Sequence, residues 1–281
     1  MSDERSTITT GRDDMTQVRD VDLAGLELPE VVPYETWLRE RRALLEREKA
    51  LTRERDAVAA ERRRLPMVEV TTDYHFDGPD GEVGLLDLFE DRLQLIVQFV
   101  MYGPDWELAC RSCSAAVDEV ARGHLNHLRG RTTSFVLVSR APYPKLAAFK
   151  ERMGWKVPWY SSGSGTFNYD HHATLDESVA PIEYNYRSPE EHALAGTDYY
   201  VSGKQPIELP GMSCFLRVGN RVFHTYSAYA RGLEVGSADQ MLELTALGRQ
   251  EPWEEPKGRL TGLGLQAGNP TIPYPDEYPA P

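Results

Sequence analysis

Apolar residues in the first quarter of the chain recur at helical spacing. Trp37, Leu44, Leu51, Val58 and Leu65 stand seven residues apart, with Leu38, Leu45 and Ala59 one step further on. Pro33 suits a first helical turn and Pro66 bars continuation, so the pattern predicts a helix from Pro33 to Arg64. Its apolar stripe is narrow and the other faces are charged. Arg41, Glu48 and Arg55 occupy the places where a coiled coil would carry a second apolar row. The spacing therefore favours an arm (residues 30–66) that packs on its own domain or along one edge on a partner subunit. A homodimer through the arm is one such arrangement.

From Met67 the period becomes that of strands. Met67 to Val70 and Tyr74 to Phe76 read as extended, and Asp77-Gly-Pro-Asp-Gly81 reads as a turn, because Pro presets φ and Gly supplies a positive one. Val83 to Phe89 is a short strand running into a helical turn. Leu93 to Tyr102 is continuously apolar, as a strand covered on both faces must be. A helix then runs from Ser114 to about Arg129, a second central strand from Ser134 to Ser139, a helix from Tyr143 to Met153, and a short strand from Val157 to Tyr160. Residues 161–209 show no clear period and read as an insertion that packs over a site. Met212 to Arg217 and Arg221 to Tyr226 pair around Val218-Gly-Asn220 as a hairpin. Ser237 to Gly248 is a closing helix. Polar residues 1–29 and the Pro/Gly-rich residues 251–281 read as tails outside the 67–250 domain.

Composition narrows the classes. The net charge is −13, and residues 33–64 carry ten basic and seven acidic side chains, so the remainder carries −16. That balance argues against a nucleic-acid partner. No run reaches the length of a membrane span, and Met1 to Gln17 has no apolar core of a secretion signal. Three cysteines cannot form a disulfide framework. The expectation is a cytoplasmic protein without membrane partners, where a C-x-x-C pair is more often catalytic or metal-binding than structural.

That pair is Cys110-Arg-Ser-Cys113, placed between a buried strand and a helix. Such a junction sets Cys110 at a helix N-terminus, where backbone N–H groups favour thiolate, and Arg111 adds a cation beside it. Cys110 is the expected attacking sulfur and Cys113 the resolving one, acting on a protein or small-molecule disulfide or thiol. Trp106 is expected at the rim of the site. Other aromatic residues (Trp155, Trp159, Tyr160, Tyr169, Tyr184, Tyr186, Tyr199 and Tyr200) read either as a groove around the sulfurs or as ordinary core. Zinc would need two further ligands, with Cys214, His171, His172 or His224 available. Adjacent histidines in a polar loop are usually surface residues, Cys214 reads as core, and no cofactor or metal is expected.

The order β, β–α–β, α, β, insertion, hairpin, α describes a mixed sheet flanked by helices, an α/β architecture of thioredoxin-like pattern. Leu-Pro-Glu-Val-Val (28–32), Leu-Pro-Met-Val-Glu (65–69), Tyr-Gly-Pro-Asp-Trp (102–106) and Cys-x-x-Cys-Ser (110–114) point further. So do Arg-Met-Gly-Trp (152–155), Phe-Asn-Tyr-Asp (167–170) and Phe-His-Thr-Tyr-Ser (223–227). Together, from about residue 28 to 255, they resemble the thioredoxin-like domain-of-unknown-function family 899, described as predicted dithiol–disulfide oxidoreductases. The resemblance implies thiol–disulfide exchange at Cys110 and Cys113. It also implies a cis-proline facing them, for which Pro210 is the natural candidate and a substrate-binding position. Peroxiredoxins carry Thr or Ser where this chain has Glu107, which speaks against peroxidase chemistry. Thioredoxins carry Trp and Gly-Pro where it has Ala109 and Arg111-Ser112. The alternative from another class is a non-catalytic interaction module on the same fold.

Overall fold

The computed structural model describes residues 30–118, 120–163, 165–229, 241–242, 245–248, 254–255 and 257, and only the backbone of Arg111, Ser112, Ala115 and Asp118. The expected N-terminal tail, most of the C-terminal tail and most of the closing helix lie outside these residues. The chain divides into two compact units, up to Leu51 and from Thr52 onward. Helix α1 runs from Tyr34 to Arg62, and only Ala59 and Ala60 are buried on it.

In the second unit β1 (Val68–Val70) is followed by the hairpin β2 (His75–Gly78) and β3 (Gly81–Gly84). A 3-10 turn, Asp87–Phe89, leads to β4 (Gln94–Phe99). The helix predicted after the cysteines is two helices, α2 (Arg111–Asp118) and α3 (Arg122–Arg129). The Ala121 N–H donates to His124 Nδ1 at 3.2 Å, starting the second helix. Then come β5 (Thr133–Ser139), α4 (Tyr143–Met153) and β6 (Trp159–Ser161).

Residues 161–209 are not shapeless. They form α5 (Phe167–Asp170), β7 (Thr174–Leu175), α6 (Pro189–Leu194) and β8 (Ile207–Glu208), with β7 and β8 paired antiparallel. Elements so short carry too few residues to show a period. Last come β9 (Gly211–Val218) and β10 (Arg221–Tyr229), whose two-residue turn uses a positive φ of 61° at Gly219.

The main sheet has eight strands in the order β1-β10-β9-β4-β5-β6-β2-β3. β4 runs parallel to β5, β5 parallel to β6, and β9 antiparallel to β4. This mixed sheet with helices is thioredoxin-like. Alternation along the strands divides the core. Ile96, Leu137, Met212 and Cys214 face one side, with Leu125, Leu128, Leu146, Phe149, Trp155 and Trp159. Leu95, Val97, Phe99, Val136, Val138 and Phe215 face the other, with Leu88, Phe89 and Phe167. Full burial of such side chains contributes about 1.5–3 kcal/mol each. Among the described residues no helix is long and apolar enough to cross a membrane.

Candidate functional site

Beyond Phe99 the central strand leaves the sheet, and the segment that follows carries the cysteines. The loop turns tightly: the Trp106 N–H donates to Gly103 O at 3.1 Å, and a Cβ on Gly103 would lie 3.0 Å from Trp106 Nε1. Lys145 on α4 clamps it from outside, donating through Nζ to Pro104 O at 2.7 Å and Trp106 O at 3.1 Å. Tyr102 Oη donates to Glu107 O at 2.9 Å. Trp106 is itself exposed.

Cys110 follows, and its N–H donates to Met101 O at 2.9 Å. Its own carbonyl accepts the first bond of α2, from the Ser114 N–H at 2.9 Å, with Ser114 Oγ adding a second at 2.8 Å. Cys110 is thus the residue that caps α2, and Cys113 lies one turn in. The side chains lie close enough for the charge on Cys110 to bear on Cys113. Their environments differ. Cys110 is partly exposed, whereas Cys113 is buried in the helix-covered core. Burial pushes the Cys113 thiol up to about 12, a backbone hydrogen bond with Met101 opposes that, and the Cys110 thiolate charge adds to it. Both are free thiols, as is Cys214. Arg111 is the first residue of α2, and its side chain lies outside the described residues.

Pro210 directly precedes β9, whose Gly211 pairs with Phe99 at the end of β4. The cis-proline expectation fails there. Among the described residues the one cis peptide bond is Gln205–Pro206. Pro210 O instead accepts from Tyr184 Oη at 2.8 Å.

The tyrosines do not form a groove around the sulfurs as a set. Tyr184 and Tyr200 make the insertion's own small core with Leu175, Leu209 and Tyr229, while Tyr186 and Tyr199 are exposed. Trp155 and Trp159 are core residues beside Cys113. Cys214 is core as well, and burial pushes its thiol up to about 12.

His171 departs from the surface expectation. It is buried on the opposite face of the sheet from Cys113, with ring centroids 4.7 Å from Phe167, 5.2 Å from Phe215 and 5.1 Å from His224. Burial first, then His224 and His172, lowers its pKa to about 3. His224 Nε2 meets Ser227 Oγ at 2.7 Å, which meets Ser213 Oγ at 2.7 Å. Among the described residues no three His, Cys, Asp or Glu side chains converge as a metal site requires.

A further polar group went unread in the sequence. Arg140, just after β5, donates through Nη1 to Glu208 Oε1 at 2.8 Å, and Thr174 Oγ1 donates to Glu208 Oε2 at 2.7 Å. The Arg140 guanidinium lies 4.8 Å over the Tyr169 ring. A Cβ on Gly103 would lie 3.5 Å from Glu208 Cγ, so this group borders the loop that precedes the cysteines. No local motif announces it, because its members come from three distant segments.

Topology and site together define the class: a thioredoxin-like protein with a C-x-x-C pair where the central strand gives way to a helix. Within that class the chain belongs to a family of bacterial proteins of unknown function, DUF899, whose model matches residues 26–271. None of the curated proteins matches the chain. Several solved structures are distantly similar. A candidate protein disulfide isomerase from Bacteroides thetaiotaomicron is 20% identical over 37% of this chain and 65% of that one, under two thirds of its length, with a TM-score of 0.26. A secreted disulfide oxidoreductase of Mycobacterium tuberculosis, described as homologous to E. coli DsbE, is 12% identical over 60% of this chain and 91% of that one (TM-score 0.30). A reduced 2-Cys peroxiredoxin of Plasmodium vivax is 13% identical over 59% and 82%, with a TM-score of 0.31.

Proposed function

We propose that this protein exchanges thiols and disulfides through Cys110 and Cys113. The observation that carries the reading is the placement of the pair at the start of α2, Cys110 partly exposed and Cys113 buried. The Cys110 thiolate attacks one sulfur of a substrate disulfide. That S–S bond breaks, the other sulfur leaves as thiolate, and a mixed disulfide forms. Cys113 then loses its proton to a thiolate or to solvent and attacks the Cys110 sulfur. The substrate's second sulfur leaves as thiolate, so the two electrons given up by the pair end on the substrate's two thiols and the pair is left as the Cys110–Cys113 disulfide. A dithiol reductant reverses the sequence.

The raised Cys113 thiol fits the order of events. While Cys110 carries a charge it opposes ionisation of Cys113, and forming the mixed disulfide removes that charge. Cys113 is thereby held back until it is needed. In this reading Arg111, the next residue after Cys110 in the chain, contributes positive charge near the attacking sulfur, and Trp106 and Pro210 contribute to substrate binding. The substrate is a protein or small-molecule disulfide.

The test is reduction of insulin disulfides with a small thiol as electron source. The wild-type chain is expected to accelerate it and Cys110→Ser to abolish the acceleration. Cys113→Ser is expected to trap a mixed disulfide that gel shift detects. No acceleration by the wild-type chain, together with no trapped adduct, overturns the reading.

A further inference from the structure

Helix α1 carries a row of large apolar side chains that the described residues leave exposed. Trp37, Leu44, Leu51 and Val58 stand seven residues apart and are between 44% and 52% exposed. The helix is 29 residues long, about 43 Å at 1.5 Å per residue. An apolar row of that length on a folded surface marks an interaction face. Strict seven-residue spacing suits a second helix lying nearly parallel to the first.

The flanking charges select the occupant. Successive helical residues turn by about 100°, so the residues three and four places beyond each stripe residue border it on opposite sides. Those places hold Glu40 and Arg41, Arg47 and Glu48, Glu54 and Arg55, and Glu61 and Arg62. Each neighbouring pair is opposite in sign, and the order of signs is reversed in the second pair alone. When two copies of this helix lie parallel and in register, the three-place flank of one runs along the four-place flank of the other. Glu40 then faces Arg41 of the second copy, Arg47 faces Glu48, and Glu54 faces Arg55, and twofold symmetry repeats each contact.

An antiparallel pair centred on Leu51 brings like flanks together. Glu40 then meets Glu61 and Arg41 meets Arg62, which repel, while Arg47 meets Glu54 and Glu48 meets Arg55, which attract. The flanking contacts therefore cancel, whereas every flanking contact of the parallel pair is attractive. Arg41 and Glu48 already pair along the helix at 2.8 Å. That contact is exposed and weak, and both groups lie on the four-place flank, so they remain within reach of a partner's three-place flank.

We infer that α1 is the dimerisation helix of this protein, pairing parallel and in register with α1 of a second copy. A single apolar row forms the seam and the Glu40/Arg41, Arg47/Glu48 and Glu54/Arg55 pairs set its direction. The inference stands apart from the chemistry of Cys110 and Cys113, and its readouts do not pass through that chemistry.

The experiment uses the full chain carrying Cys110→Ser, so that the partly exposed native thiol cannot cross-link. Sedimentation velocity across the micromolar range is expected to show a dimer. Leu44→Cys in this background is expected to form an interchain disulfide on mild oxidation, since parallel registry sets residue 44 against itself. Glu40→Lys with Glu54→Lys is expected to weaken the dimer by roughly tenfold or more, and adding Arg41→Glu with Arg55→Glu to restore it, with helicity by circular dichroism unchanged throughout. A chain that sediments as a monomer across the range overturns the inference. So does a dimer in which Leu44→Cys fails to cross-link alone but does so when mixed with Val58→Cys, the antiparallel result. Dimerisation unmoved by the charge reversals overturns the assigned direction and, with it, the inference.

Discussion

Three cysteines with the same side chain meet three environments, and burial separates them. Cys110 is partly exposed at the cap of α2, while Cys113 and Cys214 are buried and their thiols pushed up to about 12. Iodoacetamide at neutral pH is expected to label Cys110 alone in the folded protein, with the other two reacting only after denaturation. Peptide mapping by mass spectrometry checks this, and equal labelling of all three in the native state contradicts it. His171 offers a second test at this scale. In the unfolded chain a histidine protonates near 6.5, whereas burial holds His171 neutral down to about 3. Between those values the unfolded state binds a proton that the folded state refuses, so stability falls as pH drops, by at most about 1.4 kcal/mol per pH unit. His224, also lowered by burial, acts in the same sense. Glu208, raised by burial, acts in the opposite one. The urea midpoint of the wild-type chain is therefore expected to fall more between about pH 7.5 and about pH 5 than that of His171→Leu. Equal falls would remove His171 from the account.

At the scale of elements, the insertion is tied to the body by charge as well as by packing. Arg140 follows β5 and Glu208 belongs to β8, and both side chains are almost fully withdrawn from solvent (11% and 4% exposed). Removing one partner leaves a buried charge uncompensated. Arg140→Met is expected to cost about 3–5 kcal/mol, and Arg140→Met with Glu208→Leu to recover most of it, because an apolar pair needs no desolvation of charge. Urea denaturation of the two variants checks the difference, and a double variant no better than the single one contradicts it. The helix pair α2 and α3 shows how elements escape the sequence. No proline separates them, yet a His124 side chain caps the second start. A side chain returning to its own backbone leaves no trace in periodicity.

Across the whole molecule, stability is expected to concentrate where both faces of the sheet are covered. β4 and β5 lie at the centre of the strand order, and their residues are buried on both sides. Hydrogen exchange followed by mass spectrometry is expected to find peptides from β4, β5 and β9 the last to exchange. The β2–β3 hairpin, at the sheet edge, is expected to exchange earlier. Faster exchange in β4 than in β2 would mean that the cooperative core lies elsewhere.

Local pattern was enough for much of this protein. The continuous apolar run ending at Tyr102, the Gly-Asn turn before Arg221, the helix from Tyr143 to Met153 and the position of Cys110 before a helix are all written in neighbouring residues. Each depends on backbone preference or on the spacing of apolar side chains, which act over a few residues. What only tertiary structure decided depends on residues far apart in the chain. It withdrew His171 among Phe99, Phe167 and Phe215, left the Pro210 bond out of the cis form, and gathered the insertion's tyrosines into a core of their own. It also paired Arg140 with Glu208 across 68 residues. Burial and the pairing of charge are properties of what surrounds a side chain after folding, and sequence spacing does not carry that information.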